Sequence, residues 1–402
     1  MARSDKFKSS LGQHMTPAAI ADLLVQQLPR GVSRAVDLAV GDGELLTALQ
    51  RRWPSTRVYG TDCDPDRVSR AKKQLGHDAI DLADGLSARI PSQLMNGTGR
   101  FLVVGNPPFL YTPSRKIDQR LQSSAFPGVR SRHGLRRLEM SFLARALIEA
   151  KRREGLVAMI LPSAFSSGLQ YAMYRRSVLE NYCVLKSIEI HGGGYRDTEA
   201  STFILIVDTA RKPTRDVEIG RYFTPETRFE LVYRGRVLPD QRLDARYWSA
   251  VDLHTSGAPT LAEVGVTIER GRRSKAEAER DQQRLLHTTD LCRLGGRSIR
   301  LPEQDEPFDE QDTVVEKGDI LLPRTGTRVR WEPIIVASGR AVISDHLLRI
   351  RAPHGLKEAT KASFHHPNFR TWLKSVSKGV CATVITKSEL LQMPLFAAAQ
   401  DC

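Results

Sequence analysis

Between about Ser33 and Val207 short apolar runs alternate with helix-forming stretches, and that alternation leaves few folds open to the chain. Arg34-Ala35-Val36-Asp37-Leu38-Ala39-Val40 reads as a strand, and Glu44-Leu45-Leu46-Thr47-Ala48-Leu49 as the helix after it. Arg57-Val58-Tyr59-Gly60-Thr61 is a second strand, followed by a helix from Asp66. Phe101-Leu102-Val103-Val104-Gly105 is a buried strand that stops at a pair of prolines. Leu156 to Leu161 and Thr202 to Val207 are two more. Strands separated by helices predict an α/β fold: a doubly wound, mostly parallel sheet with helices on both faces. Ligands of such sheets bind beyond the carboxyl ends of the strands, where the loops sit.

The pattern changes after Ala210. Arg211-Lys212-Pro213-Thr214-Arg215 reads as a polar junction. Beyond it come short strands, turn residues and Arg-rich loops, then a helical end. A boundary near residue 212 is expected, with an α/β domain over 1–212 and an α+β domain over 213–402. The polar start, Met1 to Lys6, lacks the apolar core of a signal peptide. No apolar run approaches the ~18 residues of a membrane span. Cys63, Cys183, Cys292, Cys381 and Cys402 are scattered without a C-x-x-C pair, which argues against a disulfide framework or structural zinc and fits a reducing cytoplasm. A monomer without a metal is expected. Lys and Arg total 60 against 46 for Asp and Glu, a formal charge of +14. Such a surface attracts polyanions, because neutralising phosphates releases condensed counterions.

Asp37-Leu38-Ala39-Val40-Gly41-Asp42-Gly43 lies at a strand-to-helix turn. Gly41 and Gly43 let the backbone turn tightly and approach a ligand, with Ala39 in the same turn. An acidic Asp37 suits a ligand with a positive amino group better than a pyrophosphate. Asp62-Cys63-Asp64-Pro65 follows the second strand, where an acid can accept hydrogen bonds from ribose hydroxyls. Asp84-Gly85 follows the next, weaker strand, and Asp84 can take a hydrogen bond from an adenine amine. Read singly, Asp64 and Asp84 are also what helix caps and turns use. Thr16-Pro17 precedes an amphipathic helix from Ala18 to Leu28 and is either simply its entry, with Pro near the first turn, or part of a lid over the ligand with Thr16 in contact with it.

Asn106-Pro107-Pro108-Phe109 leaves the buried strand at Gly105. Such a tetrapeptide suits methylation of a planar exocyclic amine, whose lone pair is delocalised into its ring. The Asn side-chain oxygen and a backbone carbonyl are two acceptors that can draw the amine hydrogens out of plane. Prolines stiffen that backbone and bring no N–H to compete. The aromatic at the fourth place can stack on the presented base. Methyl transfer is then an in-line displacement governed by orientation and electrostatics.

The order of these motifs resembles the gamma-class, Taq-type N6-adenine DNA methyltransferases. Thr16-Pro17, Asp37 to Gly43, Asp62 to Pro65, Asp84-Gly85 and Asn106 to Phe109 all fall at matching places, as do Gly155 to Ala164 and the hairpin-like Ser187 to Val207. The resemblance implies a Rossmann-like methyltransferase domain, S-adenosylmethionine as donor, and a flipped adenine in double-stranded DNA. It implies that Asp37 holds the methionine end, Asp62 the ribose, Cys63 the adenine ring and Asp84 the adenine amine. Asn106 and Pro107 would hold the target amine, and Phe109 would stack on the target base. Asn rather than Ser at the first place favours adenine N6 over cytosine N4. Tyr195 falls where the family has an aromatic against that base, or is a loop tyrosine beside Gly192-Gly193-Gly194. Three places depart from the family: Leu38 stands for Pro, Val40 for a small residue, and Arg137 and Glu139 compete for its acidic or Asn position before Phe142.

Arg115, Lys116, Arg120, Arg130, Arg132, Arg136 and Arg137 follow the tetrapeptide, with Asp118 the only acid among them. A charge run is usually a solvated face, but placed directly after the tetrapeptide it reads better as a mobile arm on phosphates. In the second half Lys317 to Thr327, Leu243 to Trp248 and Gly379 to Leu390 resemble the target-recognition domains of type I restriction specificity subunits. Arg270, Arg272, Arg273, Lys275, Arg324, Arg328 and Arg330 are the candidate DNA contacts there. The expected setting is restriction-modification or a related system, with cleavage left to a separate endonuclease. Two alternatives stay open: an RNA or protein-glutamine methyltransferase, and a non-catalytic DNA specificity protein.

Overall fold

The computed structural model describes residues 15–95, 97–112, 116–129, 135–191, 202–224, 226–254, 257–280, 285–294, 297–302, 308–326, 331–377 and 383–396. The chain divides into two compact units, Met1–Trp248 and Ser249–Cys402. Among the described residues the first runs through helix α1 (Ala18–Gln27), β1 (Val32–Asp37), α2 (Glu44–Arg52), β2 (Arg57–Asp62), α3 (Pro65–Leu75), β3 (Ile80–Leu82), α4 (Ser92–Met95) and β4 (Arg100–Gly105). After these come α5 (Lys116–Ala125), α6 (Leu138–Lys151), β5 (Leu156–Pro162), α7 (Ser163–Ser167), α8 (Ala172–Asn181), β6 (Cys183–His191), β7 (Thr202–Asp208), β8 (Asp216–Phe223) and β9 (Arg228–Arg236).

One nine-stranded sheet takes the order β3-β2-β1-β4-β5-β7-β6-β8-β9. Strands β3, β2, β1, β4 and β5 run parallel. β7 lies antiparallel between β5 and β6, and β8 returns parallel to β6. The continuous Val/Ile/Leu runs follow from burial on both faces. Ala35, Leu102, Val104, Ala158 and Ile160 share a core with Ile20 and Leu24 of α1 and Leu46 and Leu49 of α2. The alternate side chains Val103 and Met159 meet Phe142 and Ala146 of α6. The sheet is therefore doubly wound and mostly parallel, as expected.

The first unit extends beyond residue 212, to Trp248. The polar Arg211–Arg215 segment is a turn that delivers β8 to the edge of β6, after which β9 pairs with β8. Trp248 then stacks on Tyr233 of β9, with ring centroids 4.0 Å apart, and donates its indole N–H to Arg242 O. A polar junction of that kind marks a turn as readily as a domain end.

The second unit is α+β. Its five-stranded sheet joins β10 (Thr267–Arg270), β12 (Ser298–Arg300), β14 (Ile320–Pro323), β16 (Ile334–Ser338) and β18 (Leu347–Arg351). A small sheet joins β11 (Leu285–Leu286), β13 (Val314–Val315) and β17 (Ala341–Ile343), and β15 (Thr325–Gly326) pairs with β19 (Thr383–Val384). Phe364, Phe369 and Trp372, from the helices Lys357–His365 and Pro367–Val376, fill its core against Ile268, Leu322 and Ile350. The Gly318-Asp319 pair is structural. Gly318 takes φ +96°, and buried Asp319 grips the Arg351 guanidinium through both carboxylate oxygens at 2.7 Å. Among the described residues, no helix is long and apolar enough to cross a membrane.

Candidate active site

The chain leaves β1 toward β2 and β3 on one side, then returns to form β4 on the other. This reversal opens a crevice at the carboxyl ends of β1 and β4, where an open α/β sheet holds its ligand. Thr16, Asp37, Ala39, Gly41 and Asn106 line one cleft there, open to solvent. Asp37, the last residue of β1, is 1% exposed. Its Oδ1 accepts the Ala39 N–H at 3.0 Å. Burial pushes its carboxyl up to about 7; the Ala39 bond opposes this, and the charge of Asp62 adds to it. Gly41 and Gly43 hold φ +55° and +93°, left-handed values that let the turn close and start α2.

The three acidic strand ends are stitched together. Asp62 is buried, and its Oδ2 accepts the Gly41 N–H at 2.9 Å while Oδ1 accepts that of Asp64 at 3.0 Å. Its first task is thus to brace the glycine turn. Val40 N donates to Thr61 O and Ala83 N to Asp62 O, tying the loop after each strand to its neighbour. Cys63 is exposed, and partial burial of its sulfur with the Asp62 charge pushes the thiol pKa up, so it stays neutral. Asp84 shapes a turn through Oδ1, which accepts the Leu86 N–H at 3.0 Å. Of the predicted cofactor residues, Gly43, Asp62, Cys63, Asp84 and Gly85 are not among the residues lining the cleft. Gly85 packs backbone to backbone on the glycine turn, where a Cβ would lie 1.8 Å from Leu38 O.

The unusual Val40 has a counterpart. A Cβ on Gly60 of β2 would meet Val40 Cγ2 at 2.7 Å, so the bulky residue in the turn is matched by a missing side chain beneath it. Gly60→Ala is expected to cost about 1–3 kcal/mol by overpacking, and Val40→Ala in the same chain to restore most of that. Thermal denaturation of the two single variants and the double variant measures the coupling; additive losses would contradict it.

Asn106 follows β4 directly. Its Nδ2 donates to Thr16 Oγ1 at 3.0 Å, so Oδ1 is the acceptor corner of the amide. Pro107 is buried beside Asp37 and Phe142, and half-buried Phe109 packs against the sheet core. The loop after the tetrapeptide is held by α6: Leu138 N donates to Leu110 O at 2.9 Å, and Tyr111 bridges to Arg137. Glu139, whose role the sequence left ambiguous with Arg137, is 1% exposed and accepts the Tyr171 hydroxyl at 3.0 Å. Burial pushes its carboxyl up, while its own backbone N–H, Tyr171, Arg137 and the Leu110 amide act the other way. A short-range motif could not reveal this brace, because Tyr171 arrives from beyond β5.

The segment read as a mobile arm is in part ordered helix. Lys116 opens α5 and is exposed, but Asp118 and Gln122 on the same helix are buried. Gln122 accepts the Leu135 N–H at 2.8 Å and the Tyr174 hydroxyl at 3.2 Å, tying α5 to the chain before α6 and to α8. Arg115, Arg130, Arg132 and Tyr195 lie outside the described residues, as do Arg328 and Arg330. Among the described residues, no cluster of three or more His, Cys, Asp or Glu side chains could hold a metal.

The strand order, the switch-point cleft and the glycine turn define the first unit as a Rossmann-like, doubly wound α/β domain. No family model matches the chain. Over 180 residues it is 25% identical to the modification methylase CviBIII of Paramecium bursaria Chlorella virus NC1A, a match covering 43% of each protein. The structure of the methyltransferase subunit of a type I restriction-modification system from Streptococcus thermophilus aligns with 52% of this chain and 47% of its own, at 22% identity and a TM-score of 0.43. The type IIG restriction endonuclease BpuSI aligns with 95% of this chain and 58% of its own, at 12% identity and a TM-score of 0.50, a likeness of fold. The chain thus spans less than half the length of that methylase and of that subunit.

Proposed function

We propose that the chain is a site-specific DNA methyltransferase that transfers a methyl group from S-adenosylmethionine to N6 of a flipped adenine in duplex DNA. The observation that carries this reading is the Asn106–Thr16 hydrogen bond at the lip of the cleft that also holds buried Asp37. It joins an amine-orienting amide to a pocket of the right chemistry for the donor. The fit to S-adenosylmethionine rests on that lining: a buried carboxyl at Asp37 suited to a positive amino group, a glycine turn that admits close approach, and a wall in which Asp42 and Glu44 outnumber the one cation, Arg67. The donor, when bound, supplies an electrophilic methyl group.

The residues then divide the work. Asp37, Ala39, Gly41, Gly43 and Thr16 hold the amino-acid end of the donor. Asp62 reaches the ribose from its braced position, with Cys63, Asp84 and Gly85 toward the adenine. Asn106 Oδ1 and the Pro107 carbonyl accept the two hydrogens of the target amine, restoring its lone pair toward the methyl group. Phe109 and Tyr195 flank the base, while Arg115 and Lys116 meet phosphates. The second unit recognises the DNA target, with Arg324 among its contacts. The similarity to a modification methylase supports a role in restriction-modification, with cleavage by a separate endonuclease.

Incubation with methyl-labelled S-adenosylmethionine and either duplex DNA, RNA or protein tests the substrate class. Label is expected in duplex DNA. Label confined to RNA or protein would replace DNA as the substrate, and no transfer at all would favour a non-catalytic DNA-binding protein.

A further inference from the structure

Two of the arginines that the sequence marks for nucleic acid in the second unit, Arg270 and Arg273, are already paired within it, and Arg272 is exposed. Arg270 donates to Asp345 Oδ2 and to Asp345 O, both at 2.9 Å. Arg273 meets Asp312 at 2.6 Å and Asp309 at 3.0 Å. Arg324 differs: among the described residues its half-buried side chain has no hydrogen-bond or ion-pair partner. Burial and the nearby Arg270 charge pull its pKa below the ordinary value, with Asp345 acting the other way. A guanidinium carries five donors in a fixed plane, and leaving them unmet while partly out of water is costly.

The backbone beneath Arg324 is fixed from several sides. Its N–H donates to His346 O at 2.8 Å, and its carbonyl accepts the Ile385 N–H at 3.0 Å. Thr325, next in sequence, pairs with Val384 across β15 and β19. The Thr325 hydroxyl is also hydrogen-bonded to His346 Nδ1, and the His346 ring packs against His287 with centroids 5.2 Å apart. A phosphate grip needs charge but tolerates a loose stem, whereas reading a base edge needs the fork held in place.

We infer that Arg324 is a specificity-determining residue, whose guanidinium fork meets the O6 and N7 acceptors of a guanine in the duplex. The inference rests on the reading of the second unit as the one that recognises DNA. Lysine at this place keeps the charge and loses the paired donors.

The test uses the full chain carrying Arg324→Ala, Arg324→Lys, or Arg300→Ala as a control, since Arg300 is an exposed cation on β12. Two readouts run in parallel: the motif enriched by binding from a random duplex pool, and the sites methylated in genomic DNA. Both Arg324 variants are expected to lose preference for guanine at one motif position by about tenfold or more, while Arg300→Ala keeps the wild-type motif. Lys behaving as wild type, with Ala merely weakening binding and lowering its salt dependence by about one phosphate contact, would make Arg324 a phosphate contact and overturn the inference. An unchanged motif in both variants would overturn it as well. A motif altered in the binding arm without methyl transfer by the wild type would uphold Arg324 and reject the catalytic reading. A wild type that enriches no motif would reject both.

Discussion

Replacing Asn106 by alanine is expected to reduce methyl transfer by at least about a hundredfold, the scale on which one preorganised hydrogen-bonding group acts at a polar reaction centre. The amide is anchored by Thr16 at 3.0 Å, so its oxygen is aimed before the substrate arrives. On the proposed mechanism alanine removes one of the two acceptors that draw the amine hydrogens out of plane and leaves only the Pro107 carbonyl. The side chain is only half-buried and follows the strand, so the fold and donor binding should persist. Methyl incorporation measured beside donor affinity and the thermal midpoint separates these effects. Loss of donor affinity equal to the loss of rate would move Asn106 from the reaction to the cofactor site.

The second large effect concerns Asp37. Its carboxyl is raised to about 7 by burial, so below that pH the empty protein holds it protonated. A ligand with a positive amino group binds the ionised form. Donor affinity is therefore expected to be nearly flat above about pH 8 and to fall about tenfold for each unit below about pH 7. The sign for stability is opposite. A carboxyl with a raised folded-state pKa favours the empty fold at low pH, and that contribution is lost as pH rises from the ordinary Asp range through about 7. Asp37→Asn should remove both dependences, bind the donor weakly at every pH, and be no less stable than wild type when empty. Calorimetric titration of the donor across this range, with thermal denaturation of the empty protein, checks both signs. Affinity that does not change with pH would detach Asp37 from the amino group.

Much of the first unit could be read from its residues because local pattern and tertiary role coincide there. The Phe101–Gly105 strand is apolar because it is buried on both faces, and it stops at Asn106 because prolines follow. Gly41 and Gly43 were legible because only glycine adopts their backbone cheaply. Asp37 and Asn106 share a cleft because both end strands flanking the switch point, which the alternation of strands and helices foretold. The rest depended on contacts distant in sequence. Asp62 is turned toward Gly41 as a brace, and the Glu139–Tyr171 pair beneath Leu110 joins residues 32 positions apart. The ordered helix at Lys116 escaped a reading based on charge alone, because Gln122 finds its partners on segments beyond it. The limit of the first unit was hidden for a related reason: β8 and β9 join a sheet whose edge the sequence does not mark.

The central claim is that Asn106 presents an adenine amine for methylation. Methylation-sensitive sequencing of DNA from cells expressing the wild type or Asn106→Ala tests it most directly. The expected result is N6-methyladenine within one short motif in the wild-type sample and none above background in the variant. A mark on another base, or the same mark persisting at wild-type level in the variant, would contradict it.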